Sequence, residues 1–210
     1  VSASLVRAVR RYQLGGIAID FERIPDDLRP ALVRYFTTLR VELDRAPPSA
    51  TGPPQQALHR PLLVQAVGDE TSAADLRAYS AVTDFTVLML YDEHYPTGDA
   101  GPIASQRWYA EKADSALVAV PSAKLILAVG AYGYDWNDGG TTAAAEVMTF
   151  QEVMTAARRN GKLPLYDKAS GNPYLTWTDP DSTDHAVWYL DGVTAYNEIA
   201  AGRRRRGLGV

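Results

Sequence analysis

Along the first two-thirds of the chain, stretches with helical spacing of apolar residues alternate with short unbroken apolar runs. Leu5, Val6, Val9 and Tyr12 share one side of a first helix. Arg7, Arg10 and Arg11 occupy the other, and Ser2 or Ser4 is its cap. Gly15 and Gly16 are expected to end it, and the strand Ile17–Phe21 follows. Ile24-Pro25-Asp26-Asp27 opens a second helix, with its acids at the positive end of the dipole and Pro30 in the first turn. Leu28, Leu32, Phe36 and Leu39 form its core-facing stripe.

Ala46–Gln56 is rich in Pro, Gly and Ser and reads as a loop, because the strand–helix rhythm resumes at once. Strands are expected at Leu62–Val67, Phe85–Leu90 and Lys124–Val129, and helices at Ala73–Val82 and Ser105–Val118. Strands apolar throughout suit a parallel sheet covered on both faces. Polar and aromatic residues gather at their C-terminal ends, which form the chemical rim of a parallel α/β barrel.

After Trp136 the rhythm changes. Phe150–Arg159 reads as a helix. Pro173–Thr178 and His185–Leu190 read as an aromatic-rich hairpin turning at Asp179-Pro180-Asp181, inside an inserted α+β subregion over 137–192 of an otherwise single domain. A helix over Val193–Ala201 leads to Arg203–Arg206, a solvated helix end favoured by the dipole over a phosphate site. Gly207–Val210 reads as the start of another strand.

Composition narrows the functional classes. The chain has 210 residues and a net charge of -4, which argues against a general nucleic-acid binder. Without cysteine there is no disulfide, thiol nucleophile or cysteine metal site, and three histidines without an H-E-x-x-H pattern give no metal centre. No cofactor motif is present: Gly130-Ala131-Tyr132-Gly133 lacks the spacing of a phosphate cradle.

The chemistry centres on Gly15-Gly16-Ile17-Ala18-Ile19-Asp20-Phe21-Glu22. Asp20 and Glu22 are two apart, so on a strand they project to one face. Two carboxylates at the end of a buried strand divide readily into one ionised group and one proton donor. The other reading is a strand that has reached the surface and turned polar. Tyr91-Asp92 ends the Phe85–Leu90 strand, either as part of a site or as its cap. Tyr132, Tyr134 and Trp136 either stack on a ligand or pack the insertion. Trp177 and Trp188 read as hairpin core, His94 as a hydrogen-bonded rim residue, and Asp69 and Glu70 as solvated loop acids.

In order along the chain, these segments resemble glycoside hydrolase family 18, the chitinase-like family. Ile19-Asp20-Phe21-Glu22 resembles the end of its D-G-x-D-x-D-x-E signature, and Met89-Leu90-Tyr91-Asp92 its M-x-Y-D motif. Lys124-Leu125-Ile126-Leu127 with Ala131-Tyr132-Gly133-Tyr134-Asp135-Trp136 resembles its seventh strand. His185–Asp191 resembles the segment after its inserted hairpin. Tyr91–Trp108 is closest to a bacterial branch fused to polysaccharide deacetylase and membrane glycosyltransferase domains, with the spore-cortex lytic branch a second relative. The resemblance implies a (β/α)8 TIM barrel represented by strands 4 to 8, with an α+β hairpin insertion after strand 7. A closed barrel takes ~250 residues and eight strands, so a fragment of a longer protein, with bare sheet edges, is expected.

The resemblance also implies roles: Glu22 as general acid, Asp20 on the substrate acetamide N–H, and Tyr91 on the acetamide oxygen. Asp92, Met89, Tyr132, Tyr134 and Trp136 would bind the glycan, a chitin- or peptidoglycan-like polymer containing N-acetylglucosamine, without metal or cofactor. A cell-envelope or extracytoplasmic setting goes with that substrate. One departure matters: Ala18 stands where the family signature has its middle Asp, which leaves a non-catalytic glycan-binding or scaffold domain as the alternative.

Overall fold

The computed structural model describes residues 2–45, 60–137 and 144–205. The Ala46–Gln56 loop and the strand expected at Gly207–Val210 lie outside the described residues. Contacts divide the chain into two compact units. The first is built from the residues up to Met89 together with Ser115–Leu127, the second from Leu90–Asp114 and the residues from Ala128 on.

The first unit contains α1 (Ser2–Tyr12), β1 (Gly16–Asp20), α2 (Arg29–Asp44), β2 (Leu62–Gly68), α3 (Ala73–Val82) and β3 (Phe85–Met89). The helix α4 (Gln106–Leu117) then leads to β4 (Leu125–Ala128). The four strands form one sheet in the order β1-β2-β3-β4, and the β1–β2 and β2–β3 pairs are parallel. A strand, a helix and a parallel strand beside the first is the repeating unit of a (β/α)8 barrel.

One face of this sheet is packed and the other is not. Leu63, Gln65, Val67, Thr86, Leu88, Leu125 and Leu127 are buried. The alternate residues Ala18, Val64, Ala66, Val87, Met89 and Ile126 are half-buried or exposed. The expectation of strands covered on both faces is therefore corrected: the second face is half-buried to exposed, not buried, among the described residues. The covered side packs on the stripe Leu32, Phe36, Leu39 and Leu43 of α2, of which the last three are fully buried. Leu28 is half-exposed instead of heading that stripe, because Asp26–Leu28 form a 3-10 turn and the α-helical phase starts only at Arg29. Tyr12 is likewise exposed. The terminating residue of α1 is Gln13, in the left-handed region at φ 54°, before the glycines expected to end the helix. Asp84 fastens α2 to the start of β2. It accepts from Arg40 at 2.8 Å, from Arg60 at 2.5 Å and from the Leu63 amide at 2.8 Å.

The second unit is organised on a five-stranded sheet, β6-β5-β9-β8-β7. Its strands are β5 (Gly133–Asn137), β6 (Glu146–Met148), β7 (Leu165–Asp167), β8 (Asn172–Thr178) and β9 (Asp184–Tyr189). All its neighbouring pairs are antiparallel. The hairpin read from the sequence is β8–β9. Its partners β5, β6 and β7 are too short or too polar to show as strands by pattern. One face packs on α5 (Phe150–Arg159) through Val153, Ala157, Leu175, Trp177, Val187 and Tyr189. A capping box of Thr149 with Glu152 starts that helix. Gly133 is required where β5 meets β9, since a Cβ there would stand 2.5 Å from the Cβ of Tyr189. The final helix α6 (Gly192–Arg204) is capped by Asp191, which accepts from the Val193 and Thr194 amides. Among the described residues no helix is long and apolar enough to cross a membrane.

Candidate functional site

In the first unit, Asp20 is the last residue of β1 and Glu22 lies in the loop after it. Both are exposed. The strand ends one residue before the expected Phe21, so Glu22 is oriented by loop backbone, next to Arg23 at φ 51°. Ala18 and Asp20 share the uncovered sheet face. Through the registers Asp20–Ala66 and Gly68–Met89, Met89 stands on that same face. The buried carboxylate pair read from the strand pattern is thus replaced by an exposed one.

Glu22 also lines a cavity of about 320 Å3 with Arg23, Arg29, Gln65, Glu70 and Tyr79. Arg29 is committed to Asp75 at 2.7 Å and to Asp26 at 2.7 Å. Gln65 is 1% exposed and its amide oxygen has no hydrogen-bond partner among the described residues.

In the second unit the expected residues cluster. Asp92 has a left-handed backbone at φ 65°, a conformation that Asp tolerates better than most residues. Its Oδ1 accepts from the Tyr134 hydroxyl at 2.8 Å and from the Tyr132 hydroxyl. Rings continue the cluster edge to face: Tyr91 on Tyr132 at 5.9 Å, Tyr132 on Tyr134 at 5.2 Å, and Tyr134 on Trp136 at 5.5 Å. Burial, then the hydrogen bond and charge of Asp92, push the Tyr134 phenol up to about 12. The same causes raise the Tyr132 phenol further. Both phenols stay protonated and act as donors across the neutral range. Below the rings lie Ile103, Ala104 and Leu190.

Several supporting residues were missed from the sequence. Glu93 accepts from the Ser105 amide at 2.6 Å and from its hydroxyl at 3.0 Å, holding the start of α4. Asn172, fully buried, donates to the Ala104 carbonyl at 2.8 Å and accepts from the Ala104 amide at 3.2 Å. His185 Nδ1 lies 2.8 Å from Asp135 Oδ2, and its ring stacks on Trp177 at 4.3 Å. Burial raises the Asp135 carboxyl, partly offset by His185. No local motif announces these contacts, because each joins segments far apart in sequence. Trp177 is hairpin core as read, and His94 bonds the Asp99 carbonyl at the rim. Among the described residues no group of three or more acids and histidines is placed to hold a metal ion.

The family model described as glycosyl hydrolases family 18 matches residues 1–197. The uncharacterized glycosylase YvbX of Bacillus subtilis is 24% identical, over 98% of this chain and 58% of its own. The cortical fragment-lytic enzyme of B. subtilis is 28% identical, over 89% of this chain and 43% of its own. The crystal structure of a chitinase from Chromobacterium violaceum aligns with a TM-score of 0.81 at 23% identity, covering 97% of this chain and 62% of that one. The chain therefore spans about half the length of the curated relatives it matches, and the partial α/β barrel with its hairpin insertion is the fold.

Proposed function

Since the chain belongs to glycosyl hydrolases family 18, we propose that it forms part of a glycoside hydrolase acting on glycans that contain N-acetylglucosamine. The reaction is retaining and substrate-assisted, the exception to the two-carboxylate scheme. Glu22 donates its proton to the leaving glycosidic oxygen as the bond to the anomeric carbon breaks. The substrate's acetamide oxygen attacks that carbon from the opposite face, giving an oxazolinium ion. Water then opens the ion, returning the proton to Glu22. Asp20 accepts from the acetamide N–H and stabilises the developing positive charge. Tyr91 holds the acetamide oxygen in line, a positioning role. Met89, Asp92, Tyr132, Tyr134 and Trp136 line the sugar-binding surface.

The observation that carries this reading is the order of motifs within the family match: Asp20 and Glu22 closing β1, then Tyr91 and Asp92 following β3. The test is hydrolysis of a chromogenic N-acetylglucosamine oligomer by the chain extended to its parent protein, beside its Glu22→Gln form. Cleavage lost by ~100-fold or more in the variant supports the mechanism. A folded parent that binds the oligomer without cleaving it overturns it.

A second reading, a glycan-binding or scaffold domain without catalysis, has one observation in its favour. Ala18 shares the open sheet face with Asp20, so no carboxylate stands at the middle position of the signature. Such a carboxylate would share a proton with Asp20.

A further inference from the structure

The cavity of about 320 Å3 in the first unit reaches a group that the proposed bond cleavage does not use. Strand alternation and the register Ile19–Gln65 place Leu63, Gln65 and Val67 of β2 on the buried face of the sheet, opposite the face that carries Ala18 and Asp20. Gln65 is thus a polar side chain between two apolar neighbours on its strand, and it lines the cavity with Phe21, Val67 and Tyr79. Its enclosed Oε1 has no donor among the described residues. A buried acceptor of this kind is destabilising unless an occupant supplies the donor.

The charges around the cavity differ in what already occupies them. Arg29 is committed to Asp75 and Asp26, and Asp75 also accepts from the Ser72 hydroxyl at 2.6 Å. Arg23 and Glu70 are exposed, and neither makes an ion pair among the described residues. Gly68 sets the position of Glu70: a Cβ at that glycine would collide with the Glu70 carboxylate, which folds back against the end of β2. Glu22 adds a second carboxylate to the lining. An uncommitted cation, uncommitted anions and a buried amide therefore surround one space, with Phe21, Ile24 and Val67 as apolar wall.

That set is complementary to a short peptide with free ends. A carboxylate pairs with the Arg23 guanidinium, an ammonium with the acids, and the peptide N–H between them with Gln65 Oε1. A neutral N-acetylglucosamine chain would leave both charges unanswered. The volume is at the small end of the ~300–1,000 Å3 of ligand pockets, which suits a dipeptide and not a long chain.

We propose that this cavity binds a dipeptide-sized peptide with free ends, Arg23 taking its carboxylate, Glu70 its ammonium and Gln65 its amide N–H. The site does not depend on the glycan reading, because its floor is on the buried side of the sheet and its test contains no hydrolysis.

The test is titration of alanyl-alanine into the protein at neutral pH, followed by the side-chain amide resonances of Gln65, assigned with a Gln65→Leu variant. Those resonances shift on binding. Gln65→Leu weakens binding about tenfold without lowering the unfolding midpoint. N-acetyl-alanyl-alanine, which has no ammonium, and alanyl-alanine amide, which has no carboxylate, each bind about tenfold more weakly than the free dipeptide. Glu70→Gln, at an exposed position, cuts the preference over the acetylated form to about threefold or less and leaves the preference over the amide. Arg23→Gln does the reverse. Stationary Gln65 resonances, equal binding of capped and free dipeptides, or preferences that survive both substitutions overturn the site. Hydrolysis of the N-acetylglucosamine oligomer by the parent protein, measured separately, bears on the glycan reading alone.

Discussion

Tyr134 donates its phenolic hydroxyl to Asp92 Oδ1 at 2.8 Å, joining a β5 residue to the loop after β3. The same oxygen takes the hydroxyl of Tyr132, so one carboxylate fixes two aromatic rings. Replacing Asp92 by Ala strands the hydroxyl of a residue that is 6% exposed. The expected cost is about 1–2 kcal/mol, read as a lower urea midpoint at unchanged slope. Phenolate absorbance checks the electrostatics: the Tyr134 titration, now near 12, moves part of the way down towards its ordinary value. Burial is the larger cause and remains, so the return is partial; an unmoved titration would show that the hydrogen-bond assignment is wrong.

Asp84 makes a sharper stability test. It is the shared acceptor of Arg40, Arg60 and the Leu63 amide, and the Asp84 and Arg40 side chains are only 12% and 13% exposed. Asp84→Ala strands the Leu63 amide and leaves the nearly buried Arg40 with Asp44, at 2.7 Å, as its remaining carboxylate, at an expected cost of about 1–3 kcal/mol. Asp84→Asn, which keeps an acceptor, costs less. An Asp84→Asn protein as stable as the wild type in chemical denaturation would mean that charge pairing contributes nothing here.

Glu198 on α6 is fully buried, and among the described residues neither of its carboxyl oxygens nor the buried Tyr109 hydroxyl has a hydrogen-bond partner. Burial pushes its carboxyl up from 4.5 to about 8. Between those values the unfolded chain has lost the proton and the folded chain keeps it, so stability falls as pH rises from about 4.5 to about 8 and the loss is complete above that. At ~1.4 kcal/mol per unit of difference, the slope is measurable. Glu198→Gln is expected to flatten it and to exceed the wild type in stability at pH 9. Melting curves across the range check this, and parallel pH profiles for the two proteins would refute it.

Ala18 offers a gain-of-function test of the proposed chemistry. Its side chain is exposed on the face that carries Asp20, so Ala18→Asp requires no repacking. The parent protein with this change is expected to hydrolyse the oligomer about tenfold faster near neutrality, with a displaced pH optimum. An unaltered rate and profile would show that Asp20 works without a proton-sharing neighbour.

Much of the first unit is legible in the sequence because each of its strands and helices has a strong period of its own. Leu32, Phe36 and Leu39 repeat at helical spacing, and Leu62–Val67 is unbroken. The second sheet is largely hidden. Leu165–Asp167 and Glu146–Met148 are three residues each, and Gly133–Asn137 reads as a rim loop because its polar residues pair across strands. The aromatic half of the candidate site was readable from Tyr91, Asp92, Tyr132, Tyr134 and Trp136. The carboxylate half was readable in residue type but not in environment: burial depends on what covers a strand, and Asp20 and Glu22 are exposed. Glu93, Asn172 and the Asp135–His185 bond left no sequence signal, since none lies in a periodic or motif context.

The reciprocal bond between Asn172 and Ala104 ties the order of a loop to that of a sheet. Ala104 belongs to the connection between β3 and α4, which has little regular structure of its own, whereas Asn172 opens β8. To expose the Ala104 amide, the chain must release the Asn172 side chain from a fully buried position. That connection therefore melts with the hairpin as one cooperative unit and does not fray ahead of it. Its deuterium uptake then becomes a clock for the opening of β8 and β9, running at the pace of the sheet.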